Sequence, residues 1–143
     1  MPNRVVYFNG EWVPNSEVKI DPFDRGFTMG DAVFDVERTF NGKSFRMKEH
    51  IDRLHRSLKY VRIDPGLTAA EMIEISEETI RRNEHLRAEI GDYMVYQWVT
   101  RGIEGLGFPE GPPSVCVNVR PIYFARHARS FESGHHGVIT KTR

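Results

Sequence analysis

Along this chain the spacing of apolar positions alternates between two and three-to-four, and each change of period marks an element. Residues 5–13, VVYFNGEWV, are two short β-branched and aromatic runs joined by Asn9-Gly10. That dipeptide tolerates the positive φ angles of a tight turn, so a hairpin is predicted. In DAVFDVERTFNGKSFRM, residues 31–47, Val33, Asp35 and Glu37 alternate with Phe34, Val36 and Arg38 before Asn41-Gly42. A second hairpin follows, with charges sharing its faces. From Met47 to Val61 the period lengthens: Ile51, Leu54, Leu58 and Val61 stack on one helical face, and Asp64-Pro65-Gly66 stops that helix. Thr68 and Glu71 form a capping-box pattern ahead of Met72, Ile73, Ser76 and Ile80, so a second helix is expected to end near Leu86. YMVYQWVTR (residues 93–101) and SVCVNVRPIYF (residues 114–124) predict strands around a Gly/Pro-rich loop, and HGVITKTR (residues 136–143) predicts one more. The sum is a single α+β domain over residues 1–143, with a largely antiparallel sheet and two helices beside it.

Charge narrows the partners. Lys and Arg number 20, Asp and Glu 20, and they are spread along the chain. No basic face or polybasic run points to nucleic acid or membrane, and no apolar run is long enough to span a bilayer. The first residues lack the apolar stretch of a signal peptide. The only cysteine, Cys116, lies in an alternating run and reads as a small buried hydrophobe in a reducing compartment, which favours the cytoplasm.

Residues 47–57, MKEHIDRLHRS, carry the first candidate chemistry. His50, Arg53 and Ser57 line one edge of the helix beside the Ile51, Leu54 and Leu58 stripe. Periodicity leaves two readings open for Arg53: a solvated charge paired with Glu49 or Asp52, or a guanidinium held to grip an anion. His50 reads as a hydrogen-bonded boundary histidine and Ser57 as helix filler. His135 and His136 lack the companions a metal site needs, so none is expected. Gly102, Gly105 and Gly107 lack the strand-then-helix context of a nucleotide loop.

The run DRGFTMGDAVFDVERTFNGKSFRMKEHIDRLHRS, continued by VTRG and GVITKTR, resembles the class IV aminotransferases, the pyridoxal-phosphate enzymes of fold type IV. The resemblance covers nearly all of the chain and implies their small N-terminal domain, with the larger cofactor domain outside this sequence. It assigns Arg53 to the cofactor phosphate, a role that suits a planar fork able to give two charge-assisted hydrogen bonds. It places Phe34 and Val36 on the wall of the substrate pocket, or simply in strand packing. Tyr96 is the better substrate candidate on its strand, ahead of Trp98, because a phenol both packs and hydrogen-bonds. Arg38 and Arg101 are spare cations able to receive a carboxylate or to sit in structural ion pairs. The implied reaction moves an amino group between an amine or amino acid and a 2-keto acid, in a homodimer.

Three departures qualify that expectation. Phe27 lacks the tyrosine hydroxyl of D-amino-acid transaminases. The tyrosine-x-arginine of branched-chain enzymes falls on Tyr93 and Val95, and the arginine and histidine of D-amino-acid enzymes are replaced by Gly105, Leu106 and Gly107. With both carboxylate clamps broken, the pocket leans toward amines. Lys19, Lys43, Lys48, Lys59 and Lys141 do not match the motif of the family's cofactor-bearing lysine. No catalytic residue is therefore assigned, and the 143 residues alone are expected to be inactive. An aminodeoxychorismate lyase shares the fold and cofactor and is the alternative enzyme; a binding or dimerisation module is the non-enzymatic one.

Overall fold

The computed structural model describes residues 3–87, 91–105, 108–109, 111–122 and 124–141. The first hairpin forms as the Asn9-Gly10 pair dictates: strands β1 (Val5–Phe8) and β2 (Glu11–Pro14) flank φ angles of 49° and 99°. A short helix, α1 (Arg25–Met29), leads into the long strand β3 (Ala32–Phe40). Asn41 and Gly42, also at positive φ, then turn into β4, which is only Lys43–Ser44. Helices α2 (Met47–Val61) and α3 (Ala69–Arg82) follow, and the capping box predicted at Thr68 is complete. Strands β5 (Tyr93–Thr100) and β8 (Val115–Pro121) enclose a two-stranded ladder of β6 (Glu104–Gly105) and β7 (Phe108–Pro109). Helix α4 (Phe124–Ser133) comes last. No helix among the described residues is long and apolar enough to cross a membrane.

The main sheet has the order β2-β1-β8-β5-β3-β4, antiparallel throughout. Ile51, Leu54 and Leu58 of α2 and Met72 and Ile80 of α3 bury themselves against Tyr93, Val95, Val99, Val117 and Val119. Each such aliphatic side chain contributes roughly 1.5–3 kcal/mol when fully buried. The core therefore lies between the helix pair and one face of the sheet.

Four sequence expectations change. The second hairpin is vestigial, because β3 takes its long pairing from β5, with Ala32 opposite Thr100 through Arg38 opposite Met94. The second helix stops at Arg82, and Glu84–Leu86 forms a separate 3-10 turn. Asn83 causes the break: its side chain accepts from Val5 N–H at 3.0 Å and donates to Val5 C=O at 2.8 Å, tying the helix end to β1. Of the run HGVITKTR, residues 136–141 form no strand and leave Val138 and Ile139 exposed, and residues 142 and 143 lie outside the described residues. Cys116 is half-buried on the sheet face away from the helices, not in the core; desolvation pushes its thiol pKa up.

The least expected feature is the inward face of β3, which carries Asp35, Glu37 and Thr39, all buried. Thr39 Oγ1 donates to Asp92 and accepts from Tyr93 N–H. Glu37 receives Gln97 Nε2 at 3.1 and 3.2 Å, and the same nitrogen donates to Ser76 Oγ. Burial raises the Glu37 pKa to about 8, with the neighbouring Asp35 charge adding to the rise and the Gln97 hydrogen bond opposing it. The folded state thus holds a proton that the unfolded chain gives up near the ordinary value of 4.5. The stabilisation is complete below that value and is lost as pH rises toward 8. Melting temperature should fall across this window, and Glu37→Gln should flatten the profile; a profile of unchanged slope in the variant would contradict the assignment.

Candidate active site

Helix α2 begins at Arg46, whose backbone is left-handed, with φ 57° and ψ 38° and no side-chain cap. The first turns are therefore set by what their side chains grip. Arg46 donates to Glu49 at 2.9 Å and Lys48 to Asp52 at 2.6 Å, so both acids expected to pair with Arg53 are engaged elsewhere. Arg53 reaches across to β3 instead. Its Nε donates to Asp35 Oδ2 at 2.6 Å and its Nη2 to Asp35 Oδ1 at 2.6 Å. His50 Nδ1 lies 2.8 Å from the same Oδ1, and Val36 N–H donates to it at 2.7 Å.

The two partners see different environments. The Asp35 side chain is 3% exposed, that of Arg53 58%. Burial acts to raise the Asp35 pKa, but the hydrogen bonds from Arg53, His50 and Val36 N–H outweigh it and hold the carboxyl below its usual range. Asp35 is thus a fixed anion at neutral pH, anchored from the core side, that fastens one edge of the guanidinium. Arg53 Nη1 makes no hydrogen bond among the described residues. Arg53 borders a concavity of about 260 Å³ together with Arg46, Glu49, His50 and Arg56. Three guanidinium groups against one glutamate at that rim suit a multiply charged anion such as phosphate.

His50 also lines a larger cavity, about 630 Å³, together with Val36, Arg38, Met94, Phe124 and Phe131. This brings the α2 edge and the sheet residues Val36 and Arg38 to one place. The outward sheet face is ordered by strand register into three cross-strand rows: Phe34 pairs with Trp98 and Trp98 with Cys116, Val36 with Tyr96 and Tyr96 with Asn118, and Arg38 with Met94 and Met94 with Arg120. Phe34 stacks on Trp98 at 5.0 Å between centroids and Tyr96 on Trp98 at 6.0 Å. Phe34, Val36, Arg38 and Tyr96 thus share one face, opposite the helices. Arg38 lies over the rings of Phe40 and Phe124 and donates through Nε to Thr39 C=O.

Other candidates separate from this cluster. Arg101 donates to Asp31 at 2.7 Å and to the carbonyls of Val61 and Arg62, closing the end of α2 against β5. It is a structural cation. Asp24, in the DRGF run, caps α1 and accepts from Thr100 and Ser114 hydroxyls. Gly26 lies against Thr100 so closely that a Cβ would collide with its methyl group. These contacts fix the segment that leaves Phe27 exposed. Ser57 is half-buried on α2. His135 lines the larger cavity, and no group of three or more metal-ligating side chains occurs among the described residues. Leu106 and Gly107 lie outside the described residues.

One site residue, Asp35, escaped the sequence reading. Asp35 is separated from Arg53 by 18 positions, so no local spacing marks the pair; only alternation, which turns Asp35 inward with Val33, hinted at it. Tyr93 and Val95, on which the broken clamp was placed, are both fully buried under the helices. The opposite face of β5 carries Met94, Tyr96 and Trp98, so Val95 points away from the face that holds Phe34, Val36 and Arg38.

Comparison with known proteins fixes the family. The family model of class IV amino-transferases matches residues 32–131. A Methanocaldococcus jannaschii protein assigned as a branched-chain-amino-acid aminotransferase is 38% identical over 118 residues, 80% of this chain and 39% of its own. The D-alanine aminotransferase of Staphylococcus aureus is 31% identical over 140 residues, 95% of this chain and 47% of its own. The Escherichia coli branched-chain amino acid aminotransferase superposes with a TM-score of 0.76 at 24% identity, over 88% of this chain and 43% of that one. A branched-chain amino acid aminotransferase from T.th., solved with pyridoxamine 5'-phosphate, superposes at 0.73 and 26% identity, over 86% and 42%. The chain belongs to the class IV aminotransferases, and its α+β fold is that of the small domain of fold type IV enzymes. It spans less than half the length of these relatives.

The Asp35–Arg53 pair makes a stability prediction. Asp35→Asn keeps the shape but removes the anion, leaving Arg53 with at most one acceptor. Chemical denaturation should show a loss of about 1–3 kcal/mol at pH 7 that shrinks as the wild-type carboxyl protonates in acid. Equal stability at pH 7 would show that the pair holds nothing.

Proposed function

We propose that this chain is the phosphate-gripping and substrate-walling domain of a pyridoxal-phosphate-dependent transaminase. The observation that carries the reading is Arg53: a guanidinium anchored on one side by a buried carboxylate and presenting free N–H groups to a concavity rimmed by Arg46 and Arg56. Arg53 would hold the cofactor phosphate there, and Val36, Arg38 and Met94 line the larger cavity that shares His50 with this concavity. When bound, pyridoxal phosphate supplies an electron sink and a carrier for the amino group.

The chain's own residues then perform binding and shaping. Phe34, Val36 and Tyr96 form an aromatic and aliphatic wall that excludes water and orients the substrate side chain. Arg38 offers a cation at the end of that wall. No lysine lines either cavity at this site among the described residues, so the group that moves the substrate proton is assigned to another part of the protein. The exposed Phe34 and the aromatic stack behind it are suited to cover by that further domain or by a second copy in a homodimer. The reaction is amino transfer between an amine or amino acid and a 2-keto acid, in the cytoplasm.

Two experiments test this. Arg53→Ala in the protein carrying this chain should weaken pyridoxal-phosphate retention by roughly ten- to a hundredfold, read by equilibrium dialysis or the bound cofactor's absorbance. Unchanged affinity removes the anchor. The 143-residue chain alone should transfer no amino group to pyruvate or 2-ketoglutarate, whereas the protein carrying it should. Release of an aromatic amine without any acceptor would instead favour the lyase.

A further inference from the structure

The outward sheet face holds a second cation that neither the family motifs nor the sequence pattern singled out. Arg120 faces outward from β8 in the same cross-strand row as Arg38, with Met94 between them. Its guanidinium lies 4.5 Å from the centroid of the Tyr96 ring. The residue is exposed, and no carboxylate among the described residues pairs with it. By contrast Arg46, Arg53, Arg81, Arg82, Arg87 and Arg101 each hold an acid, whereas Arg38 in the same row also pairs with none among the described residues. Arg120 also borders a cavity of about 360 Å³ whose wall includes Phe27, Trp98 and Asn118.

A permanently charged group stacked on an aromatic ring keeps its planar edge free for a second partner, because the cation–π contact uses the guanidinium face and not its N–H groups. The neighbouring row supplies the rest of a small polar end: among the described residues the Tyr96 hydroxyl is engaged only by Met94 sulfur at 3.7 Å, and the Asn118 amide only by Cys116 sulfur at 3.7 Å. Both contacts are weak, so both groups are available to an incoming oxygen. The Phe34, Trp98 and Tyr96 stack provides the apolar floor beside them.

We propose that Arg120, seated on Tyr96, is the receptor for the substrate carboxylate, so that the site takes amino acids and 2-keto acids in preference to amines that lack a carboxylate. The inference rests on the transaminase reading for the identity of the substrate, but its physical content is a carboxylate subsite on this face. It reverses the expectation drawn from the two missing clamps: the cation is present, delivered by β8. A carboxylate laid between Arg120 and the Tyr96 hydroxyl gains a two-pronged charge-assisted contact that a neutral amide or a plain amine cannot form.

The test uses the protein that carries this chain, with Arg120→Met, which keeps the apolar stem and removes the charge, and Arg120→Lys, which keeps the charge and removes the fork. Binding is read by Trp98 fluorescence during titration with 2-ketoglutarate and, separately, with propanamide. Wild type should show saturable quenching by 2-ketoglutarate and none by propanamide. Arg120→Met should raise the dissociation constant about tenfold or more, and Arg120→Lys should recover part of the loss. In turnover, KM for the keto acid should rise in Arg120→Met while KM for a carboxylate-free amine donor and the affinity for pyridoxal phosphate stay unchanged. Equal dissociation constants in wild type and Arg120→Met, or no saturable quenching in wild type, overturn the subsite. Carboxylate binding that depends on Arg120 in a protein without amino transfer would leave the subsite standing and remove the transaminase reading.

Discussion

A carboxylate taken out of water is the constraint around which this domain is arranged. Asp35 is enclosed between β3 and α2, where an isolated anion is strongly unfavourable, and it is kept ionised by Arg53, His50 and a backbone N–H. The hydrogen bonds dominate over desolvation, as the lowered pKa records. One consequence is mechanical: α2 is pinned to β3 at its polar edge while Ile51, Leu54 and Leu58 pack its other side. The other is directional, because a guanidinium held by two parallel bonds along one edge can present only its remaining edge to a ligand.

The same strand explains how two chemistries coexist in one sheet. Alternation along β3 sends Asp35, Glu37 and Thr39 toward the helices and Phe34, Val36 and Arg38 outward. The usual order, with apolar residues inside and polar residues outside, is inverted there. Gln97, Ser76 and Asp92 satisfy the inward groups, and the outward face keeps an aromatic floor with a cation at its edge. An ionisable pair and an aromatic wall are thereby placed on opposite sides of one backbone, within two residues of each other.

Much of this was legible in the sequence because it rests on local rules. Asn9-Gly10, the Thr68 and Glu71 box and the Ile51, Leu54, Leu58 stripe each act over a few residues, and each formed where the pattern placed it. Long-range pairing was not legible. Nothing near Asp35 announces a partner eighteen positions away, and nothing near Asn41-Gly42 reveals that β3 pairs mainly with β5. Facing was not legible either: the family motif falls on Tyr93 and Val95, and strand phase sends both into the core. A shift of one residue in a strand exchanges core for surface, so motif frames set by sequence alone are least secure in strands. The run at residues 136–141 shows a related limit, since its β-like composition makes no strand there.

The proposed phosphate anchor requires Asp35 to act on the cofactor through Arg53. A double-mutant cycle on pyridoxal-phosphate affinity, using Asp35→Asn, Arg53→Ala and the pair in the protein carrying this chain, tests it most directly. The account predicts that Asp35→Asn weakens binding when Arg53 is present and changes nothing further once Arg53 is gone. Additive losses, or an Asp35→Asn variant that binds the cofactor as wild type does, would contradict it.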